Sequence, residues 1–392
     1  MHVDFNGSYN IVNYSPLNSR SKIYLVRRLS GMNPHALMKR NMPDRSRTTG
    51  DYINFVQSIK ESLGFGNSRS EELTLNTILM ASMTNSYVEG SSKLTGISGQ
   101  TVRNHLRNKD LEGLLQINAD LIATMKEKGL FRKPLKIAMD WHDEMYYGNR
   151  ETDGIIGTKN KAGTNYAYEY ATASIVVEGI RFVIAVTPVR QRTNLDMVSR
   201  LLKIIETHGI RIGVLLMDGG FFSADLINFL NSGKINFVMH APKLKKVCGN
   251  MEADLKYTTK LHHRRKKDQA TFRMVSIYGH SKKGRILYVF ATNMDILPGK
   301  ILKLYRKRWG IETGYRMIRK FLAKTTSKRH NIRLLYFYLA ILLYNMWVLM
   351  NIVSRVKIIA DNMRIFIASK LIRSNPIVTN PVSSNRHSGG DF

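Results

Sequence analysis

The spacing of apolar residues divides the chain into a helical part followed by an α/β part. Within residues 51–130, apolar positions recur three and four apart in YINFVQSIKESL, LTLNTILMASMTNSYV and LEGLLQINADLIATMKEK, which predicts a small helical domain. Residues 1–50 are polar and basic and lack a sustained period, so we expect a flexible arm there. Residues 354–392 are expected to form a C-terminal helix and a flexible tail rich in Ser, Asn, Pro and Gly.

The period changes from helical to extended at residues 129–134, which indicates a domain boundary. Strands are predicted at LKIAMDW, at IGVLLMD, at KINFVMHAPK, and at a hairpin of YAYEYATASIVV and IRFVIAVTPV that turns at Glu178 and Gly179. Helices are predicted at LDMVSRLLKIIETHG and at SADLINFLNSG, whose start Ser223 can cap. Three successive strands followed by alternating strands and helices predict an α/β domain with a mixed sheet over residues 131–353.

One apolar stretch, from Leu334 to Val353, is long enough to cross a membrane. Its two asparagines, Asn345 and Asn351, would be poorly placed in lipid. A helix that is apolar on all sides is also expected in the core of a large soluble protein. We therefore predict a buried helix and no membrane association.

The charge balance indicates a polyanionic partner. Sixty Lys and Arg against 29 Asp and Glu give a formal net charge of +31, which repels itself unless a polyanion lies nearby. Nucleic acid is the favoured partner, although a ribosomal-type binding protein, a membrane-surface protein or a basic proteome would share this composition. The single cysteine, Cys248, excludes an internal disulfide and a Cys-rich zinc site. With no secretory signal at the start of the sequence, this predicts a cytoplasmic location.

The helical domain contains a candidate DNA-reading motif in VEGSSKLTGISGQTVRNHLRN. The pattern is typical of a helix-turn-helix motif: a short helix, a glycine-containing turn at residues 95–98 and a second helix that starts at Gly99, with Ser98 as its N-cap. The residues of the second helix predicted to face DNA bases or phosphates are Gln100, Thr101, Arg103, Asn104 and Arg107. An ordinary solvated helical hairpin would show the same pattern.

Two aspartates occupy equivalent places in the predicted sheet. Asp140 follows the apolar run LKIAM and Asp218 follows IGVLLM, so each lies at the carboxyl end of a buried strand, where α/β sheets place their active sites. Neighbouring carboxylates there would repel each other unless a hard cation such as Mg²⁺ or Mn²⁺ held them. Either aspartate alone could instead cap the next turn, and Asp143 is the rival for the first position.

A third acidic residue lies in the helical segment YRKRWGIETGYRMIRKFLA. At about 100° per residue, Tyr305, Arg308, Glu312 and Arg319 share one face of a continuous helix. The apolar stripe beside that face comprises Leu304, Ile311, Tyr315, Ile318 and Leu322. Docking this stripe on the sheet would direct Glu312 towards the two aspartates, with Arg308 and Arg319 positioned to bind DNA phosphates. A solvated face of charges is the alternative.

These segments carry a family resemblance. YRKRWGIE followed by GYRMIRKF resembles the Tyr-Arg-Glu-Lys motif of DDE transposases from bacterial and archaeal insertion sequences. IAMDWHDEMYYG and LLMDGGFFSADLINFLNSGKINFVMHAPK are similar to that family's two Asp regions, and VFATN lies upstream of the third region as expected. The similarity spans Leu135 to Met350. One position departs from the pattern, because the motif's final Lys is Arg319 here, with Lys320 adjacent.

The resemblance implies an RNase H-like catalytic domain after the helical DNA-binding domain, with Asp140 on its first strand, Asp218 just after its fourth and Glu312 on a later helix. Glu312 follows Asp218 by 94 positions, which is more than one strand and a connection need, so we expect an inserted β-rich subdomain at about residues 243–295. It contains a basic run that can track a DNA backbone: Arg264, Arg265, Lys266 and Lys267. A solvated loop is equally compatible. The adjacent His262 and His263 would point oppositely on a strand, which disfavours a metal site.

The activity implied is cleavage and joining of DNA strands by two-metal phosphoryl transfer. Asp140 would bridge two Mg²⁺ or Mn²⁺ ions, with Asp218 and Glu312 each holding one. The expected partner is double-stranded DNA, both the element's terminal inverted repeats and the target, bound by a dimer of the protein near the nucleoid. Trp309 could stack on a displaced base or pack in the core. An inactive relative that only binds DNA, and a nuclease without joining activity, are the competing readings.

Overall fold

The computed structural model describes residues 45–177, 180–190, 193–242, 253–263, 266–281, 284–354 and 358–374. The predicted hairpin turn at Glu178 and Gly179, the basic residues Arg264 and Arg265, and most of the predicted arm and tail lie outside these residues.

Five helices precede the sheet, as the apolar periodicity predicted. They are α1 (Arg45–Ser62), α2 (Arg69–Thr84), α3 (Val88–Thr95), α4 (Gly99–Leu106) and α5 (Glu112–Glu127). Helix α1 begins within the segment predicted as an arm, so residues 45–50 are helical instead. Helix α2 is the centre of this group, because residues 74–83 are all buried and neighbouring helices cover every side of it. It starts at Ser68, whose hydroxyl accepts from the Glu71 amide, and ends at Asn85 in the left-handed conformation.

The strands of the described residues form one mixed sheet. They are β1 (Leu135–Met145), β2 (Ile156–Lys161), β3 (Thr164–Val177), β4 (Ile180–Val189), β5 (Ile212–Met217), β6 (Phe237–His240), β7 (Ala253–His263), β8 (Lys266–Ser281) and β9 (Gly284–Thr292). Their order is β2-β3-β1-β5-β6-β9-β8-β7, with β4 also paired to β3. Strand β1 is antiparallel to β3 and parallel to β5, which is parallel to β6. The predicted α/β architecture with a mixed sheet is confirmed, and it fits an RNase H-like domain.

Two details of the sheet differ from expectation. Because the short β2 precedes β3, Asp218 follows the fifth strand in chain order and not the fourth. The β-rich segment before Glu312 extends the same sheet, since β9 pairs antiparallel with β6 through Met239 and Ala291, and β8 and β7 continue outward from it. The expected insertion therefore adds strands to the edge of the sheet through main-chain hydrogen bonds.

Helices cover both faces of the sheet. The remaining helices are α6 (Asn194–Thr207), α7 (Ala224–Ser232), α8 (Pro298–Arg306), α9 (Trp309–Ile318), α10 (His330–Ser354) and α11 (Ala360–Ser374). Residues 167–176 of β3 are buried without a break, so side chains pointing to either face of this strand are covered. Ser223 occupies the N-cap position of α7 as predicted, but its hydroxyl makes no capping hydrogen bond.

Helix α10 contains the long apolar stretch. It is long and apolar enough to cross a membrane, yet 89% of its most apolar window is buried inside the protein. Asn345 at its centre is fully buried and donates to the carbonyl of Val183 and to Asn118 of α5, while its own oxygen accepts from the Val183 amide. These bonds satisfy the polar groups of the asparagine and join α10 to β4 and α5, as expected of a core helix.

The segment predicted as one helix around Glu312 is two helices. Helix α8 ends at Arg306 and α9 begins at Trp309. At the junction the amide of Lys307 bonds to Leu304 O and that of Arg308 to Tyr305 O, so tight three-residue turns replace the α-helical pattern. Side chains before and after this turn therefore do not have the angular relation about the helix axis that they would have in one continuous helix.

Candidate active site

Asp140 lies within β1 and its carboxylate is largely buried, with 14% of the side chain exposed. One of its oxygens, Oδ1, accepts a hydrogen bond from the Trp141 amide at 2.9 Å. The backbone carbonyl of Asp140 accepts from the Tyr315 hydroxyl of α9 at 2.9 Å, and that hydroxyl also contacts Thr172 of β3 at 2.8 Å. Tyr315 therefore docks α9 on the sheet at the level of Asp140.

Asp218 directly follows β5, the parallel neighbour of β1. Ala138 pairs with Leu216, the last pair of the parallel β1–β5 ladder, and the two aspartates each lie two residues beyond it, so they come side by side where this ladder ends. Asp218 Oδ1 accepts from the Gly220 amide at 2.8 Å, which fixes the carboxylate at the start of a short 3₁₀ turn.

Gly220 is required by close packing. A Cβ atom at this position would lie 2.5 Å from the Trp141 ring, which is far inside van der Waals contact. The Trp141 ring also packs against Phe221, with ring centroids 4.5 Å apart and the planes tilted by 38°. The glycine thus lets the turn that carries Asp218 approach β1.

Arg308, at the α8–α9 junction, joins Glu312 to Asp140. Its guanidinium donates to Glu312 Oε1 at 2.7 Å, and its other terminal nitrogen lies 3.5 Å from Asp140 Oδ2. Arg308 is buried and lies 5.5 Å from the centre of the buried Tyr305 ring, whereas the Glu312 side chain is 54% exposed. The structure therefore brings together Asp140, Asp218, Glu312, Arg308 and Tyr305.

The electrostatics of the site centre on Asp140. Burial and, next, the charge of Asp218 raise the pKa of this carboxyl to about 7, although Arg308 opposes the shift. Glu312 contributes in the same direction as Asp218. Three acidic side chains thus lie within electrostatic reach of one another, with one arginine to balance them.

The chemistry of these side chains suits a hard divalent cation, which takes oxygen ligands and would relieve the repulsion that raises the Asp140 pKa. Across the described ranges, however, no group of three or more His, Cys, Asp or Glu side chains is arranged closely enough to hold a metal ion. The three carboxylates are therefore not as close together as expected. The guanidinium of Arg308 lies between the carboxylates of Asp140 and Glu312.

Arg319 lies apart from this group. It follows α9, is exposed, and lines a cavity with His142 and Asp143, on the part of β1 beyond Asp140. Its charge, after burial, is the second cause that lowers the pKa of His142 to about 4. Arg319 lies about two helical turns beyond Glu312, at the C-terminal end of α9, and its contact with DNA phosphates stays a prediction.

The structure bears on two alternatives that the sequence left open: whether Trp309 packs in the core, and whether Asp140 or Asp143 is the first carboxylate. Trp309, at the start of α9, is 47% exposed, so it is not a packed core residue. Asp143 forms an ion pair with Lys161 at 2.5 Å and only 6% of its side chain is exposed. Asp140, not Asp143, contacts Arg308, which favours it as the first carboxylate.

Of the two segments predicted to contact DNA, the helix-turn-helix segment lies within the described residues and the basic run does so only in part. Ser98 caps α4 as predicted, accepting from the Thr101 amide at 3.0 Å, and Thr101 is partly exposed. Among the residues of α4 and its C-cap that were predicted to contact DNA, the fully exposed ones are Gln100, Asn104 and Arg107. Arg103 is partly exposed and pairs with Glu89 of α3, so part of its charge is satisfied within the protein.

The basic run lies at the β7–β8 hairpin. Lys266 and Lys267 belong to β8, opposite His263 and His262 of β7, and the adjoining Arg264 and Arg265 lie outside the described residues. Contact with a DNA backbone remains a prediction for this run and for α4.

Tyr315 and Gly220 are the residues of the site that the sequence did not reveal. Tyr315 was assigned only to an apolar stripe, and its hydroxyl contact with Asp140 depends on how α9 docks. The glycine pair after Asp218 was a visible signal, but the ring that demands it, Trp141, comes from another strand.

Comparison with known proteins identifies the family. Residues 138–346 match the transposase DDE domain, which is more than half of the chain, so the protein belongs to this family of transposases. A cryo-EM structure of a piggyBac transposase synaptic complex with hairpin DNA is also similar, with 14% sequence identity and a TM-score of 0.46 over 91% of this chain and 78% of that chain. No curated protein is significantly similar in sequence to this chain. The predicted DDE transposase is confirmed at the level of the family.

Proposed function

We propose that this protein cleaves DNA at the terminal inverted repeats of a prokaryotic insertion sequence and joins the ends to target DNA. The observation that carries the proposal is the register of β1 and β5, which sets Asp140 beside Asp218 while Tyr315 docks the helix of Glu312 over them. Membership of the transposase DDE domain family supports the reaction class. The Tyr305, Arg308 and Glu312 spacing supports the subgroup with the Tyr-Arg-Glu-Lys motif.

Asp140, Asp218 and Glu312 would together hold two Mg²⁺ or Mn²⁺ ions. Such ions, when bound, lower the pKa of water and neutralise the charge of the phosphate under attack. Within the chain, Gly220 N orients Asp218, and Arg308 orients Glu312 beside Asp140. Exposed Trp309, next to Arg308, is positioned to stack on a base of the strand being processed.

The proposed partner is double-stranded DNA. A net charge of +31 supports binding to both element ends and target. Joining two ends requires both to be held at once, so we propose that two copies of the protein act together on DNA. A cytoplasmic protein associated with the nucleoid would meet this substrate.

The catalytic assignment is tested with Asp218→Asn and Glu312→Gln in a cleavage assay on DNA carrying the terminal repeats, in Mg²⁺ and in Mn²⁺. Each variant keeps the oxygen that accepts from Gly220 or Arg308 but loses a charge, so the fold should persist. We expect each to lower the cleavage rate by at least about a hundredfold, on the order of 3 kcal/mol. Glu206→Gln, on the exposed surface of α6, is the matched control and should leave the rate unchanged.

The outcomes separate the competing functions. Undiminished cleavage in both variants would remove the catalytic assignment. DNA binding without cleavage by the wild type in either metal would identify a relative that only binds DNA. With pre-cut ends as substrate, joining to a target plasmid is expected of the wild type, and nicking without joining would identify a nuclease.

A further inference from the structure

Two adjoining cavities lie between the helical domain and the segment that follows α9. One has a volume of about 710 Å³ and the other about 910 Å³, and both are lined by Asn85, Tyr87 and residues 324–326. We call their union the connector groove: its walls are residues 85–90 and 322–328, and its floor is residues 142–148 of β1 and the loop after it. Asp140 lies two residues before this floor on the same strand.

The walls of the connector groove are tied to each other by hydrogen bonds. The Asn85 side chain donates to Leu322 O at 2.7 Å and to Arg319 O at 2.9 Å, and the Lys324 amide donates to Ser86 O at 2.9 Å. Tyr87 and Lys324 form a parallel β-bridge. The groove is therefore preformed, which lowers the entropic cost of binding a ligand there.

The charge of the connector groove is positive because its acidic residues are already paired. Asp143 pairs with Lys161 and Glu144 with Arg333, each at 2.5 Å, and Glu89 pairs with Arg103. The remaining cations are Arg319, Lys324 and Lys328. These three are exposed, and none of them has a carboxylate within ion-pair distance in the part of the chain that the structure describes. They form an electrostatic site for an anion that runs along the groove.

Exposed aromatic rings accompany these cations. Tyr87 is 46% exposed and Tyr147 is 67% exposed, although large aromatic residues usually bury most of their surface. Thr325 and Thr326 line the same cavity as Tyr87 and Tyr147. Cations that track a phosphate backbone, combined with aromatic faces on which bases stack, are the features that bind unpaired nucleic acid. A duplex would present phosphates to the lysines but no free base to the rings.

We propose that the connector groove binds an unpaired DNA strand, with its phosphates against Lys324, Lys328 and Arg319 and a base stacked on Tyr87. The inference rests on the proposed strand cleavage, which produces strand ends beside Asp140. A released strand would then follow β1 from Asp140 into the groove, between the helical domain and the segment after α9.

The test measures binding of a fluorescent twelve-nucleotide single strand and of the corresponding duplex by anisotropy, in EDTA so that no cleavage occurs. Lys324→Glu should weaken single-strand binding about tenfold or more, and Tyr87→Ala about fivefold to tenfold. Tyr87→Phe keeps the ring and should bind as the wild type does. Lys203→Glu, an equal charge reversal at an exposed position of α6, should change affinity less than about twofold.

Each result decides between stated alternatives. Equal effects of Lys324→Glu and Lys203→Glu would overturn the groove as a binding site, and equal losses on duplex and single strand would overturn its preference for unpaired DNA. Tyr87→Ala variants that bind normally while unfolding at the wild-type temperature would exclude the stacking role. Glu312→Gln should bind the single strand as tightly as the wild type, so failure of the groove and failure of the catalytic proposal are separate observations.

Discussion

Arg308 has a double role among the side chains of the candidate site. It is buried, donates to Glu312 and lies near Asp140, so it offsets part of the charge that burial makes costly. Its Nε atom is buried without a hydrogen-bond partner among the described residues. Because the guanidinium contacts both Asp140 and Glu312, a cation that binds these carboxylates would compete with Arg308 for them.

His208 leads to a prediction about acid stability. Burial and the nearby Lys126 ammonium lower the pKa of His208 to about 4, against an ordinary value of 6.5, although a bond to Ile184 opposes this. Between pH 6.5 and 4 the unfolded chain binds a proton that the folded protein does not, so stability falls as the pH falls through this window. His208 alone should contribute a loss of about 2 kcal/mol from pH 7 to 4.5.

The measurement is the free energy of unfolding in urea at the two pH values. His208→Gln should lose less stability on acidification than the wild type by about 2 kcal/mol. His280→Gln, at an exposed position of β8, is the control and should follow the wild type. Identical pH dependence in His208→Gln and the wild type would contradict the prediction.

At the scale of elements, short irregular segments decide where functional residues lie. The turn between α8 and α9 lies between Tyr305 and Arg308, which both remain close to Glu312, whereas Arg319 at the far end of α9 lies beside His142. The next irregular segment, residues 319–324, is bound to the end of α2 through Asn85 and Ser86. The helical domain is thus connected directly to the segment that follows Glu312.

Asn85 provides a stability test of this connection. The residue adopts φ 52°, a left-handed conformation that glycine also accepts and alanine does not. Asn85→Gly removes only the two bonds to Arg319 O and Leu322 O and should lower the free energy of unfolding by about 2 kcal/mol. Asn85→Ala should cost about 1 kcal/mol more because of its backbone strain. Chemical denaturation measures both, and a glycine variant as stable as the wild type would show that the connection contributes nothing.

For the whole molecule, the excess of positive charge dictates how binding to DNA depends on salt. If the protein neutralises six to ten phosphates, its affinity should fall by about 10³ to 10⁵ between 50 and 200 mM salt, through release of counterions. A plot of log affinity against log salt measures this with duplex DNA, and a slope near zero would contradict it. With the single strand, Lys324→Glu should reduce the slope by about one relative to Lys203→Glu if it removes one phosphate contact.

Features with a local cause were predictable from the sequence. The mixed sheet followed from the change in apolar period, and Asp218 directly follows β5 as the apolar run before it predicted. Asp140 lies in the middle of β1 and not at its end, because pairing with β3 continues the strand to Met145. The cap at Ser98 and the burial of α10 were equally visible. The interruption before α9 was not, because the helical pattern continues through Arg308 while the tertiary contacts of its side chain favour a tight turn.

The sequence by itself determined the family, the order of strands and helices, the excess of positive charge and the choice of three candidate acidic residues, since each depends on consecutive residues or on composition. Only the tertiary structure decided which of these residues meet. The register of β1 with β5, the docking of Tyr315 on Asp140 and the bonding of Asn85 to Leu322 join residues distant in the chain. Such contacts depend on how whole elements pack against one another, and packing is a property of the folded molecule that no local pattern contains.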